Sequence, residues 1–208
     1  MKTMVQNGVR GALTLLVFAL VFTALMAGTY ALTKDSVAQN ERDARAALIA
    51  QVLPAGSYDN ELLLDALPQT AAAQQQLNNP AGAQIYRALK NGQTTAVVVE
   101  TIAPDGYSGK IKLLVGVSRT GQVLGVRVVA HKETPGLGDY IDVAKSNWIL
   151  GFDGKSLSSP TADLWRVKKD GGAFDAAAGA TISPRAVVKA VKNTLSYVAA
   201  EHATLFGA

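Results

Sequence analysis

The chain has 208 residues, a net charge of +4, 49% hydrophobic residues and no cysteine. The missing cysteine excludes disulfides, thiolate-ligated iron–sulfur clusters, cysteine zinc sites, c-type haem attachment and a thiol nucleophile. With only His131 and His202 a His-rich metal cage is excluded too, and the positive mean hydropathy of +0.16 traces to one segment near the N-terminus.

That segment runs from Gly11 to Leu32 without a charged residue. As a helix rising about 1.5 Å per residue it spans a hydrocarbon core of about 30 Å. Backbone groups in that core must bond internally, which requires a helix. Tyr30 takes an interfacial position. The run exceeds the roughly 7–15 apolar residues of a cleaved signal peptide and contains no Ala-x-Ala site, so it reads as a retained anchor. The expected organisation is a cytoplasmic N-terminus over 1–10, a transmembrane helix over 11–32 and an extracytoplasmic domain over 33–208. Charge alone does not fix this orientation. Lys2 and Arg10 lie on the short side, but Lys34, Arg42 and Arg45 follow on the long side, and large domains translocate largely regardless of charge. Without Lys2 and Arg10 the remainder carries +2, too little to indicate nucleic acid.

Beyond the anchor, Asp35 to Leu53 reads as a helix stopped by Pro54. Asn60 to Leu67 reads as a short helix, Pro68 to Pro80 as a loop or a weak helix, and Ala83 to Lys90 as a helix ended by Asn91-Gly92. Thr94 to Thr101, Lys110 to Val117 and Val123 to Ala130 are β-branched and bounded by turn residues, the pattern of an antiparallel meander. Pro104-Asp105-Gly106 and Arg119-Thr120-Gly121 supply the turns. Ile182 to Ala200 is the last helix, with Ser183 as N-cap and Pro184 at the first helical position. Val188, Val191, Leu195 and Val198 mark its apolar face, and Lys189 and Lys192 lie off it. The fold class is α+β: one N-terminal transmembrane helix, then a single domain with an antiparallel sheet and flanking helices.

Two loops carry candidate chemistry. Glu133-Thr134-Pro135-Gly136-Leu137-Gly138 follows a strand, and Pro135-Gly136 suits the centre of a type II turn. Such a turn exposes backbone groups, and its glycines admit a flat ligand; an ordinary strand-to-helix loop has the same composition. Asp175 to Thr181 is a run of small residues ending in a hydroxyl before a helix N-terminus. Free N–H groups and the helix dipole favour an anion such as phosphate there, although a flexible loop feeding a capped helix reads alike. Trp165 and Trp148 are candidate stacking residues or core residues, and the Lys168-Lys169 pair is either a source of positive charge near a bound cofactor or a solvated face. Tyr107 is expected to pack a hairpin. Hydrolytic motifs are missing: there is no Gly-x-Ser-x-Gly elbow, no phosphate-binding Gly-Lys-Ser/Thr loop and no His-Glu-x-x-His helix.

Four features together resemble the G subunits of Rnf (Rsx) electron-transport complexes. They are the anchor, the Gly106-Tyr107-Ser108-Gly109 turn, Glu133 to Gly138, and Asp175-x-x-x-Gly179-Ala180-Thr181. The chain is similar, less closely, to the C subunit of the sodium-pumping NADH:quinone reductase. The resemblance implies an FMN-binding domain over about 94–200 and an FMN joined by a phosphoester to Thr181. It implies Gly179, Ala180 and Asp175 in the attachment segment and Glu133, Thr134, Pro135, Gly136 and Leu137 against the flavin ring; Trp165 and Lys168 are candidate cofactor contacts on residue type alone. Ala178 departs from the family's Ser or Thr, which removes one hydroxyl and leaves the acceptor oxygen. The implied partners are a flavin transferase and the other membrane and peripheral subunits of the complex. The implied place is the bacterial inner membrane, with the bulk of the chain periplasmic. The implied role is electron relay between ferredoxin and NAD coupled to ion movement, with no acid–base residue of its own. A membrane-anchored flavin-binding regulatory domain and a non-redox scaffold are the competing classes.

Overall fold

A computed structural model describes residues 2–207. The chain divides into two units, one ending at Arg45 and one beginning at Ala46. The first consists of most of α1 (Lys2–Ala50), a helix long and apolar enough to cross a membrane. Its Leu13, Phe18, Phe22 and Leu25 side chains are exposed, as a lipid-facing surface requires. The hydroxyls of Thr14, Thr29 and Thr33 donate to the carbonyls four residues earlier, at 2.8–2.9 Å, so these three are satisfied within the helix.

The second unit is built on a five-stranded antiparallel meander in the order β1-β2-β3-β4-β5. The strands are β1 (Ala66–Pro68), β2 (Gln84–Lys90), β3 (Gln93–Gly106), β4 (Gly109–Ser118) and β5 (Val123–Ala130). The sheet is apolar on both faces because the chain covers both. Val97 and Val99 of β3 join Val115, Val117 and the Val187, Val191 and Leu195 face of α3 (Ile182–Ala200) in one core. Ala96 and Val98, one residue out of phase, join Ile49, Val52 and Leu53 in the other. Val52 lies so close to β4 that a Cβ on Gly116 would run into its backbone carbonyl.

Expected and observed elements agree for β4, β5 and α3, and α1 runs without interruption to Ala50. Four expectations are corrected. Ala83 to Lys90 is not a helix but mostly strand β2. Asn91 and Gly92, both at positive φ (52° and 76°), form its two-residue hairpin to β3 rather than a helix end. Asn60 to Leu67 is a turn leading into the edge strand β1, held by the Asn60 side chain, which binds the Arg87 carbonyl and the Leu89 N–H. Pro104-Asp105-Gly106 continues β3, and the reversal falls at Tyr107-Ser108 because Gly106 pairs with Gly109. Ser183 is not the N-cap of α3; Thr181 holds that position, and Pro184 is the third helical residue. Between Pro68 and Pro80 lies a six-residue helix, α2 (Ala71–Gln76), capped by the Thr70 hydroxyl.

Candidate functional site

Three segments meet at the start of α3. The β3–β4 turn brings Tyr107, the segment after β5 brings Glu133, Thr134, Leu137 and Gly138, and the loop before α3 brings residues 179–183. They line a cavity of about 200 Å³. This is below the roughly 300–1,000 Å³ of a pocket that engulfs a small molecule, so a flat ring seated here keeps part of its surface outside.

Glu133 holds the segments together. It is only 5% exposed. One carboxylate oxygen accepts the Ser183 hydroxyl at 2.7 Å, and the other accepts the Ser108 N–H at 3.2 Å. The Glu133 N–H donates to His131 Nδ1 at 3.1 Å. A buried carboxylate needs such donors, and here they come from the hairpin turn and the first turn of α3. Space for it depends on a missing side chain: a Cβ on Gly138 would stand 2.7 Å from Glu133 Oε2.

Downstream, Thr134 to Leu137 is a turn closed by the Leu137 N–H on the Thr134 carbonyl, with Gly136 at φ +76° as a type II turn demands. Buried Asp139 accepts the Gly136 N–H at 2.8 Å and fixes the turn from behind. Leu137 is consequently 59% exposed at the cavity rim, with Tyr107 (70%) and Ile182 (44%). Three large apolar side chains left in solvent around one cavity form a ready surface for a flat aromatic ligand.

Thr181, half-buried, stands in the wall. Its carbonyl accepts the Arg185 N–H, starting the helical ladder, and its hydroxyl makes no capping bond. The first-turn N–H groups of a 19-residue helix lack intrahelical partners, and the dipole places partial positive charge there. An oxygen carrying a phosphate is well placed at such a point. Beside it, Lys168 pairs with Asp175 at 2.7 Å, and Arg185 grips Asp170 through two bonds of 2.6 and 2.8 Å. The Arg185 hydrogen bond holds the Asp170 carboxyl below the usual carboxylate range.

Of the expected site residues, Glu133, Thr134, Leu137, Gly179, Ala180 and Thr181 line the cavity together. Pro135 and Gly136 shape the turn beside it without lining it. Asp175 and Lys168 form an exposed ion pair at the start of the loop before α3. Trp165 is elsewhere. It lies in the core, 4.9 Å from Phe174 between ring centroids, with its Nε1–H on the Ser156 carbonyl. Trp148 backs the loop, donating Nε1–H to the Asp175 carbonyl at 2.7 Å. Tyr107, Ser183 and Ser108 are site residues that the sequence singles out without giving them a part in the site. Tyr107 sits at a hairpin apex like any turn aromatic, and Ser183 is 50 residues from the Glu133 it serves.

A helix long and apolar enough to cross a membrane precedes an antiparallel domain in which a hydroxyl, a helix N-terminus and an apolar rim surround one cavity, the architecture of a domain able to seat a flat, phosphate-bearing ligand. The FMN-binding domain family matches residues 106–196, and the RnfG N-terminal region matches residues 1–52. The chain is 52% identical over 192 residues to the G subunit of the ion-translocating oxidoreductase complex of Pseudomonas aeruginosa, covering 92% of this chain and 89% of that protein. The corresponding Vibrio cholerae protein, which bears the same name, is 49% identical over 189 residues, 91% of this chain and 89% of its own length. The Pseudoalteromonas atlantica protein, again of that name, is 45% identical over 199 residues, 96% and 92%. The chain belongs to the RnfG family, the FMN-binding redox subunits of ion-translocating oxidoreductase complexes.

Proposed function

We propose that the chain carries FMN as a phosphoester on Thr181 and relays electrons inside an Rnf-type complex that couples ferredoxin–NAD electron transfer to ion movement. FMN, when bound, supplies one-electron chemistry; the protein supplies position and electrostatics. The observation that carries the reading is the Thr181 hydroxyl, without a capping bond, in the cavity wall at the N-terminus of α3. The residues present fit the group. The N-terminus of α3 would hold the phosphate, and Leu137, Ile182 and Tyr107 would give a flavin ring an apolar rest. Asp139 fixes the turn that carries Leu137, and Glu133 ties the segment before it to the hairpin and to α3. Attachment by a phosphoester retains the cofactor where a dissociated one is lost by dilution, which suits a periplasmic domain on a single-pass inner-membrane anchor. A flavin transferase makes the bond, and the remaining subunits deliver and remove electrons and house the ion path, because one uncharged helix lines none. Ala178 is exposed, so the missing hydroxyl leaves no buried gap.

Co-expression of the full chain with a flavin transferase tests this. The expected product fluoresces as a flavin on a denaturing gel and gains the mass of FMN less water at Thr181. Thr181→Ala is expected to lose both and to keep the fold. Flavin fluorescence persisting in the denatured variant overturns the assignment.

A further inference from the structure

We propose that Tyr140, backed by Trp148, is a positioning residue for Thr181, holding the loop before it in one conformation by gripping the loop's backbone rather than its side chains. The inference rests on reading Thr181 as the attachment point. The run from Asp175 to Ala180 consists largely of alanine and glycine, so its own side chains offer almost nothing with which to fix it, and Gly179 at φ +82° adds freedom. Within it the Ala180 N–H binds the Ala177 carbonyl and Asp175 pairs with Lys168, and the remaining hold on its backbone comes from outside. The Tyr140 hydroxyl donates to the Ala180 carbonyl and accepts the Ala177 N–H, each at 3.0 Å, and so closes a bridge across the loop directly before Thr181. Trp148 Nε1–H binds the Asp175 carbonyl at 2.7 Å.

The two rings hold each other. Tyr140 and Trp148 meet edge to face, centroids 5.8 Å apart at 86°, and Trp148 meets Phe152 in the same way at 5.4 Å. Phe152 is fully buried and stacks on Phe174, just before Asp175. The Ser146 hydroxyl donates to the Tyr140 carbonyl at 2.8 Å, so the backbone carrying the ring is fixed as well. The brace therefore runs from the core to the residue preceding the acceptor hydroxyl. Burial pushes the Tyr140 hydroxyl above its ordinary pKa, more than the Ala177 N–H pulls it down, so it keeps the proton it donates throughout the physiological range.

Tyr140→Phe in the full, detergent-solubilised chain isolates the hydroxyl. Hydrogen exchange of a peptide covering residues 175–181, in chain made without transferase, is expected to accelerate about tenfold, the size of one lost neutral hydrogen bond. Peptides from β3 and β4 are expected to keep their rates. Trp148→Phe, which keeps a ring and removes the donor, is expected to accelerate the 175–177 end. In chain matured with transferase, the visible circular dichroism per attached flavin is expected to fall toward that of free FMN in Tyr140→Phe, a signature that a general loss of stability does not move. Unchanged exchange across 175–181, or an unchanged flavin signal, overturns the proposal. Wild-type chain without FMN on Thr181 overturns the attachment reading instead, and the exchange result still decides whether Tyr140 holds the loop.

Discussion

Glu133 receives donors from two segments remote in sequence, and its removal leaves both without an acceptor. Glu133→Ala is expected to destabilise the globular unit by about 2–3 kcal/mol, the range for losing hydrogen bonds to a charged buried group, and Glu133→Gln by less because it keeps volume and an acceptor oxygen. Urea unfolding followed by tryptophan fluorescence measures this directly, because both tryptophans, Trp148 and Trp165, lie in that unit. The ion pair beside the site gives a pH dependence of definite sign. Arg185 lowers the Asp170 pKa in the folded state. The pair's contribution is therefore complete above the unfolded carboxyl value of about 3.9 and is lost as pH falls through the lower folded value. Asp170→Asn is expected to fall below the parent chain at pH 7, by a small margin because both partners are solvated, and the gap is expected to narrow at pH 3. A comparison of urea midpoints at the two pH values checks it.

At the scale of elements, what the sequence reveals depends on how many faces an element buries. α3 is legible because its apolar residues recur on one face and its other face meets water. β4 and β5 are legible from their β-branched runs. β2 is not, because Ile85 faces one core while Tyr86 and Ala88 face the other, which erases alternation and mimics helical spacing. The Asn91-Gly92 pair was the available sign of a hairpin. Both site loops are legible as motifs, but their meeting is not: it depends on a hydrogen bond between Glu133 and Ser183, and Ser183 looks like a cap by position alone. Two-sided burial also makes a prediction. Gly116→Ala places a methyl against the Val52 carbonyl, so β4 and the chain after α1 cannot both keep their places. The expected loss is about 1–3 kcal/mol, typical of overpacking. A midpoint equal to that of the parent chain in urea unfolding contradicts the packing described for this face.

For the whole molecule, the question the chemistry poses is which side of the membrane the FMN domain occupies. A cofactor held by a phosphoester has its greatest advantage where free FMN is not replenished, whereas the basic residues flanking the apolar segment, Lys2 and Arg10 before it and Lys34, Arg42 and Arg45 after it, fix no orientation. The proposal that FMN is held in this way therefore carries with it the proposal that the residues after the anchor are periplasmic. The absence of cysteine makes the test clean, because any thiol introduced is the only one present. Thr3→Cys and Thr120→Cys put single thiols at exposed positions before the apolar segment and on the globular unit. In spheroplasts a membrane-impermeant maleimide is expected to label Thr120→Cys at once and Thr3→Cys only after lysis. The opposite pattern reverses the orientation and removes the retention argument for a covalent flavin, while leaving the cavity and the Thr181 hydroxyl to be judged by mass alone.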